Sequence, residues 1–354
     1  MKRLLLPALQ ILLAATTVRA SVAIFQLEAS TNLSTNVATN WSAFPLRASD
    51  VTASGALAVA LPPGATNAFF RMGITYMSDP VPPVNVGVRL SYFYAEGSGD
   101  PAFAPNPHVI RQATSSNGAS FTSAVDIYSA NNLVDPDVFR VATNSYGLLV
   151  TDFAGTNLIY ATATNISGPY VTFGGGGSRP ATQSSTIDMG GSFRVFASGI
   201  FAYEFDPATG VLGTNIPSLG LTAFQIGKTN GICADPSVIR LADGRYRMFF
   251  KYAAMGASAS EHQLWQITST DATGTGWDSG SARFITNGSV PGAVRDGQNV
   301  LMYFVSFDPD LSPNNSLAVG VSTNQGTNFT YYPVFLDGLP ISGAYDPSAN
   351  LLTE

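Results

Sequence analysis

Disulfides are the first thing this sequence cannot have. Its 354 residues include one cysteine, Cys233, so no internal cystine can staple the chain and stability has to come from packing. Charge is scarce as well, at 11% of residues, with a net charge of −6 and no basic cluster after Lys2-Arg3. That balance argues against nucleic acid or an anionic membrane surface as partner. The scarcity is not a sign of disorder, because apolar residues reach 45% and disordered chains are charge-rich and apolar-poor. Long stretches of 3.6-residue periodicity are missing, and no run after residue 20 is apolar and long enough to span a bilayer. Histidine occurs twice, at His108 and His262, and glutamate five times.

What remains is β chemistry. Short Val/Ile/Phe/Tyr/Thr runs alternate with Gly, Asn, Asp and Ser, among 34 glycines and 22 prolines, and the fold class read from them is all-β. Met1–Ala20 carries Lys2-Arg3, an apolar stretch and a small-residue ending, which reads as a secretory signal peptide and predicts a secreted, periplasmic or cell-surface protein. Residues 21–76 read as a small N-terminal β module with strands at Ala23–Ser30, Trp41–Leu46, Gly55–Leu61 and Asn67–Met72. Residues 77–87 are Pro-rich and read as a linker.

From Val88 to Glu354 the chain repeats itself. Ala234–Tyr252 (ADPSVIRLADGRYRMFFKY) has an Asp-Pro opening and two apolar runs around an Asp-Gly turn, which is a hairpin signature. Asp135–Val150 aligns with Asp235–Phe250 without a gap at an offset of 100 residues, matching Asp, Pro, Val, Arg and Tyr in register. A third opening stands at Asp346-Pro347-Ser348. First strands are expected near Asp135, Thr182, Asp235, Gly288 and Asp346, in steps of 47, 53, 53 and 58 residues. Several short strands per period of this size are the mark of propeller blades, and residues 84–354 hold five of them.

The two ends explain each other. Val88–Ala95 matches the second strand of the repeat, Arg245–Lys251, with no first strand before it, whereas Asp346–Thr353 supplies a first strand with no second strand after it. Pairing them closes the ring and removes two open sheet edges. Ser115–Phe121, Ser269–Trp277 and Ser322–Phe329 resemble the Asp-box turns of sialidase-type propellers, in which Asp or Asn bonds backbone amides and the aromatic plugs between sheets.

In a propeller the first strands open at one mouth of the central funnel, and the loops after the second strands return to that face. Asp135, Asp137, Asp235 and Asp346, with loop residues Glu96, Asp100, Glu261, His262, Asp308 and Asp310, therefore share one rim. Aligning His108–Asn117 on His262–Asp271 puts both histidines at one position, the start of strand three in blades one and four. Each Asp-Pro also has a purely structural reading, since Asp before Pro bonds local amides. Arg140 and Arg240 sit on the face opposite their Asp and are expected to pair between blades.

The phrase DPSVIRLADGRYRMFF, repeated around five blades, resembles the five-bladed propeller glycosidases: arabinanases, β-xylosidases, invertases and their relatives. The resemblance covers residues 84–354. It implies an Asp opening the first blade's inner strand as base or nucleophile, a second Asp that tunes pKa, and an inner-strand Glu as acid. Asp346 matches the first role, and Asp135 or Asp235 the second. No inner strand opens with Glu, and only Glu261 and Glu96 reach the funnel from a loop. The catalytic set expected is thus Asp346, Asp135, Asp235, Glu261 and Glu96, with His108, His262 and Asp137 contacting substrate. No cofactor is called for, leaving room only for a structural calcium ion in the channel. The expected partner is a carbohydrate, bound by a monomer. A secreted glycoside hydrolase and a non-catalytic glycan-binding or envelope interaction propeller are the two readings. The N-terminal module, through Leu27–Leu33, Trp41 and Phe69–Met72, resembles short modules ending in Phe-Phe-Arg on secreted bacterial proteins, which implies a spacer or surface attachment.

Overall fold

The computed structural model of the chain describes residues 84–354, apart from 96–106, 153, 155–156, 175–180, 313–314, 342 and 354, together with three strands nearer the N-terminus. Contacts divide the chain into Met1–Val81 and Pro82–Glu354. In the first unit, Val22–Ser30 pairs antiparallel with Phe69–Met77 along its whole length and with Ser42–Ala43 at its end. The Phe69–Met77 strand runs past the expected end at Met72, to the first residue read as linker. The signal peptide Met1–Ala20 and the strand expected at Gly55–Leu61 lie outside the described residues.

The second unit is a five-bladed β-propeller, one antiparallel sheet per blade. The inner strands, in ring order, are Ala344–Leu351, Leu133–Ala142, Ser185–Asp188, Ile232–Arg240 and Ser289–Asp296. The first of them pairs antiparallel with Val88–Tyr94, so the C-terminal strand closes the blade that the chain begins. Blade one is widened by Phe335–Leu336, which lies parallel to Ser120–Phe121. Blade three starts its inner strand at Ser185 rather than near Thr182. In blade five the counterpart of Asp-Pro-Ser is Val290-Pro291-Gly292, two residues beyond the expected Gly288.

Alternating residues bury against both neighbouring sheets. Phe249, Phe250, Tyr303 and Phe304 are all inaccessible to solvent, each contributing about 1.5–3 kcal/mol by its burial. Three aromatics that follow the Asp-box-like turns plug between blades: Phe121 against Tyr303, Trp277 against Phe196, and Phe329 against Phe249. The turns use the bonds expected of them, since Asn117 Oδ1 accepts from the amides of Ala119 and Ser120, and Asp271 Oδ1 from that of Thr273.

The inner strands are stitched to each other by one repeated device. Ser348 Oγ accepts from Val138 N in blade two, Ser185 Oγ from Val238 N in blade four, and Ser237 Oγ from Ala293 N in blade five, at 2.8–3.2 Å. Blade two carries Asp137 at this position, and its Oδ2 accepts from Thr186 Oγ1 in blade three at 2.6 Å. Blade five carries Gly292, where a Cβ would fall 2.0 Å from the carbonyl oxygen of Pro347 in blade one, so only glycine lets the ring close there.

Candidate active site

Two residues before each staple the backbone does something unusual. Asp135, Gln183, Asp235, Val290 and Asp346 all have φ between 45° and 55°, the left-handed region. In four blades the register shifts across this point, between Val134 and Asp137, Ala234 and Ser237, Ser289 and Gly292, and Tyr345 and Ser348. Asp tolerates left-handed backbone, because its short polar side chain bonds locally; β-branched Val290 does so only under strain. A bulge of this kind re-aims a side chain. Here it turns the residue at that position toward the axis, and the five residues line one narrow cavity at the end of the channel.

Three of the five are carboxylates. Asp135 N donates to Asp346 Oδ2 at 3.3 Å, so blades one and two meet through the site itself. Asp235 is 2% exposed, and its Oδ2 lies 2.5 Å from Lys251 Nζ, on the strand beside it. Asp235 Oδ1 has no hydrogen-bond partner among the described residues. Burial first, then the negative charges of Asp346 and Asp235, pushes the Asp135 carboxyl well above the usual carboxylate range, and the Lys251 ammonium and the Thr151 hydroxyl only partly offset this. Burial alone would lower Lys251, but Asp235, Asp135 and Asp346 outweigh it and hold the amine charged. The site thus places a carboxyl of raised pKa beside one paired with an ammonium, and unlike environments of this kind are what divides acid from base.

The remaining expected residues are placed differently. Asp137 points along the channel to Thr186 and is pushed up to about 7, chiefly by burial. His108 is 1% exposed, with Nδ1 donating to the Leu133 carbonyl at 2.9 Å and its ring 4.9 Å from that of Phe93. A ring buried in this way ties its strand to the start of the strand that leads to Asp135. His262 is half-buried, with Nδ1 3.4 Å from Ser289 Oγ, and burial and then Lys251 pull its pKa down. Glu261 is exposed and caps a 3-10 turn: the amide and hydroxyl of Ser258 donate to its Oε2 at 2.8 and 2.7 Å. Those bonds hold the Glu261 carboxyl below its usual range, the wrong direction for a general acid. Glu96 and Asp100 lie outside the described residues. Asp308 and Asp310 are exposed, and Asp308 Oδ1 accepts from the Asp310 amide.

Lys251 is absent from the sequence-derived set. Its signal was a cation in the apolar run MFFKY, opposite Ala234 and hence one residue from Asp235. The charge it brings also bears on calcium. Among the described residues no three His, Cys, Asp or Glu side chains are arranged to hold a metal ion, and an ammonium already sits against the Asp235 carboxylate. The donor set does not fit a cation in this cavity. Among the described residues neither Arg140 nor Arg240 pairs with a carboxylate of another blade, contrary to expectation. Arg140 Nε donates to the nearby Ala142 carbonyl, and Arg240 lies 6.0 Å from the Tyr246 ring centroid in its own blade.

No family model matches the chain, and no curated protein matches it. Solved structures similar to it include a bifunctional GH43-CE protein of Bacteroides eggerthii, at 12% identity and TM-score 0.46 over 71% of this chain and 34% of that one. Another is the α-L-arabinanase of Cellvibrio cellulosa, at 12% identity and TM-score 0.43 over 60% of this chain and 84% of that one. The exo-β-1,3-galactanase of Phanerochaete chrysosporium matches at 14% identity and TM-score 0.43, over 57% of this chain and 51% of that one. The chain spans about a third of the first of these proteins. The likeness is one of chain path, and the five-bladed fold stands on the strand pairing above. No helix among the described residues is long and apolar enough to cross a membrane.

Proposed function

We propose that the chain is a secreted glycoside hydrolase-like protein that acts on poly- or oligosaccharide through the carboxylates at the narrow end of its channel. The observation that carries this reading is the convergence of three carboxyls on one cavity: Asp135, pushed well above the usual carboxylate range by burial and by its neighbours, Asp346, which accepts from its amide, and Asp235, which is paired with Lys251. Glycoside hydrolysis needs a division of labour between two carboxyl groups. Asp135 gives its proton to the leaving oxygen, Asp346 takes the proton of the attacking water, and Lys251 pairs with Asp235 beside them. Secretion is supported by Met1–Ala20. The test is a screen of wild type against chromogenic glycosides and plant and algal polysaccharides, followed by Asp346→Asn and Asp135→Asn on whatever is cleaved. Each variant is expected to lose about 10²–10⁴-fold in turnover, the usual worth of general acid or base help. Full turnover in either variant overturns the assignment of that residue.

One observation favours the second reading. Gln183 occupies the left-handed position of blade three. With glutamine there, and Glu261 spent on a cap, no glutamate among the described residues faces the site. A non-catalytic glycan-binding propeller would be inert on every polysaccharide in the screen yet slowed by one of them in affinity electrophoresis.

A further inference from the structure

The wide end of the channel carries chemistry that the carboxylate end does not use. Inward of the staples the channel opens into a cavity of about 670 Å³, bounded by the inner strands of all five blades. That is the size of a small-molecule site. The register of the strands decides what rings it. Five residues beyond the left-handed residue of four blades stand Arg140 in blade two, Asp188 in blade three, Arg240 in blade four and Arg295 in blade five, and all four line the cavity.

The charges of this ring do not cancel. Asp188 Oδ1 is engaged by the amides of Gly190 and Gly191 at 2.7 and 3.3 Å. Asp137, the other acid lining the cavity, accepts the Thr186 hydroxyl deeper in. Elsewhere arginines meet carboxylates: Arg111 with Asp126, Arg194 with Glu204 and Arg245 with Asp243. No ion pair among the described residues involves Arg140, Arg240 or Arg295. Arg295 is fixed in place, with Nε donating to the Gly297 carbonyl at 2.7 Å and Nη1 crossing to the Arg240 carbonyl at 2.8 Å. In a chain of net charge −6, three guanidinium groups without carboxylate partners around one cavity make a local positive field.

We propose that this end of the channel binds a small molecule carrying an oxyanion, phosphate or carboxylate, received by the guanidinium groups of Arg140, Arg240 and Arg295. A planar guanidinium presents paired donors that match two oxygens of such a group. The proline and aliphatic walls below, Pro136, Pro236, Val238 and Val294, take the remainder of the ligand. The three arginines of the site lie outside the carboxylate cavity, which the site meets at Pro136 and Pro236.

Isothermal titration of the full chain with pyrophosphate and, separately, citrate at low ionic strength tests the proposal. Saturable one-to-one binding of at least one is expected, and which of the two binds tells a phosphate from a carboxylate ligand. Arg140→Gln/Arg240→Gln should weaken it about tenfold or more, as losing charge-assisted bonds does. Arg111→Gln, a charge loss elsewhere, should leave it unchanged. Absence of saturable binding for both anions overturns the site, as does unchanged affinity in the double variant or an equal loss in Arg111→Gln. Thermal melts check folding, and the two single variants replace the double one if it fails to fold.

Discussion

Asp137→Asn is the substitution whose effect the structure specifies best. Asp137 stands where blades one, three and four carry Ser348, Ser185 and Ser237, so a carboxyl occupies a place in the ring that a hydroxyl fills elsewhere. Burial holds it at about 7 in the folded protein, against 3.8 ordinarily. Below pH 3.8 the group is protonated in both states and has no effect on stability. As the pH rises the unfolded chain releases the proton first, and folded-state stability falls until the pH passes about 7. The gap between 3.8 and about 7 corresponds to about 4 kcal/mol, a large part of the 5–15 kcal/mol that holds a typical domain together. An asparagine keeps an acceptor for Thr186 but cannot ionise. Its amide donors enter a place built for acceptors, at a cost of about 1–3 kcal/mol that does not vary with pH. The readout is therefore the slope rather than the offset. In guanidinium unfolding followed by tryptophan fluorescence, the stability of Asp137→Asn relative to wild type should rise by about 4 kcal/mol from pH 4 to pH 8. Asp137→Ser, which restores the staple of the other blades, should show the same slope. A difference that stays flat across this range, or falls with pH, refutes the argument.

Lys251→Met strips the cation from a buried pair and should destabilise by about 3–5 kcal/mol in the same assay at pH 7, with Asp235→Asn/Lys251→Met regaining most of the loss. Equal stability of the single and double variants would show that the pair is not formed. Removing residues 344–354 takes away the inner strand of blade one and with it the bonds of Asp346, Ser348 and Asn350 to blade two. The truncated chain should lose cooperative unfolding, and a sharp transition at the wild-type midpoint would contradict ring closure by this strand. Cys233 is buried, which pushes its thiol up to about 12, so it should react with a disulfide reagent only in denaturant. Stoichiometric labelling of the native protein within seconds would place it elsewhere.

Much of this architecture was legible because a repeat states its pattern several times over. Recurring Asp-Pro openings, Asp-Gly turns and a strand missing at one end but present at the other imply a closed ring of five sheets, since only closure leaves no unpaired edge. The plugs Phe121, Trp277 and Phe329 followed from the turns before them, because the turn chemistry is local. Blades three and five were misaligned for the same reason: Gln183 and Val290 replace the Asp that marked the others, and the left-handed backbone they share leaves no trace in residue type.

The sequence by itself determined the fold class, the blade count, the closing strand and the convergence of Asp135, Asp235 and Asp346 on one mouth, all of which depend on period and strand parity. Tertiary structure alone decided what each of those groups is chemically. The raised pKa of Asp135 depends on burial and on carboxylates from two other blades, more than a hundred residues away in one case. The ion pair of Asp235 depends on a lysine reached across the sheet, and the service of Glu261 as a cap depends on where a short loop turns. The arginine ring is a mixed case: the repeat aligns Arg140 with Arg240, but only the folded register adds Arg295, whose strand lacks the Asp-Pro opening. Period and parity are properties of a single strand, whereas electrostatic environment belongs to the space between strands, and folding is what creates that space.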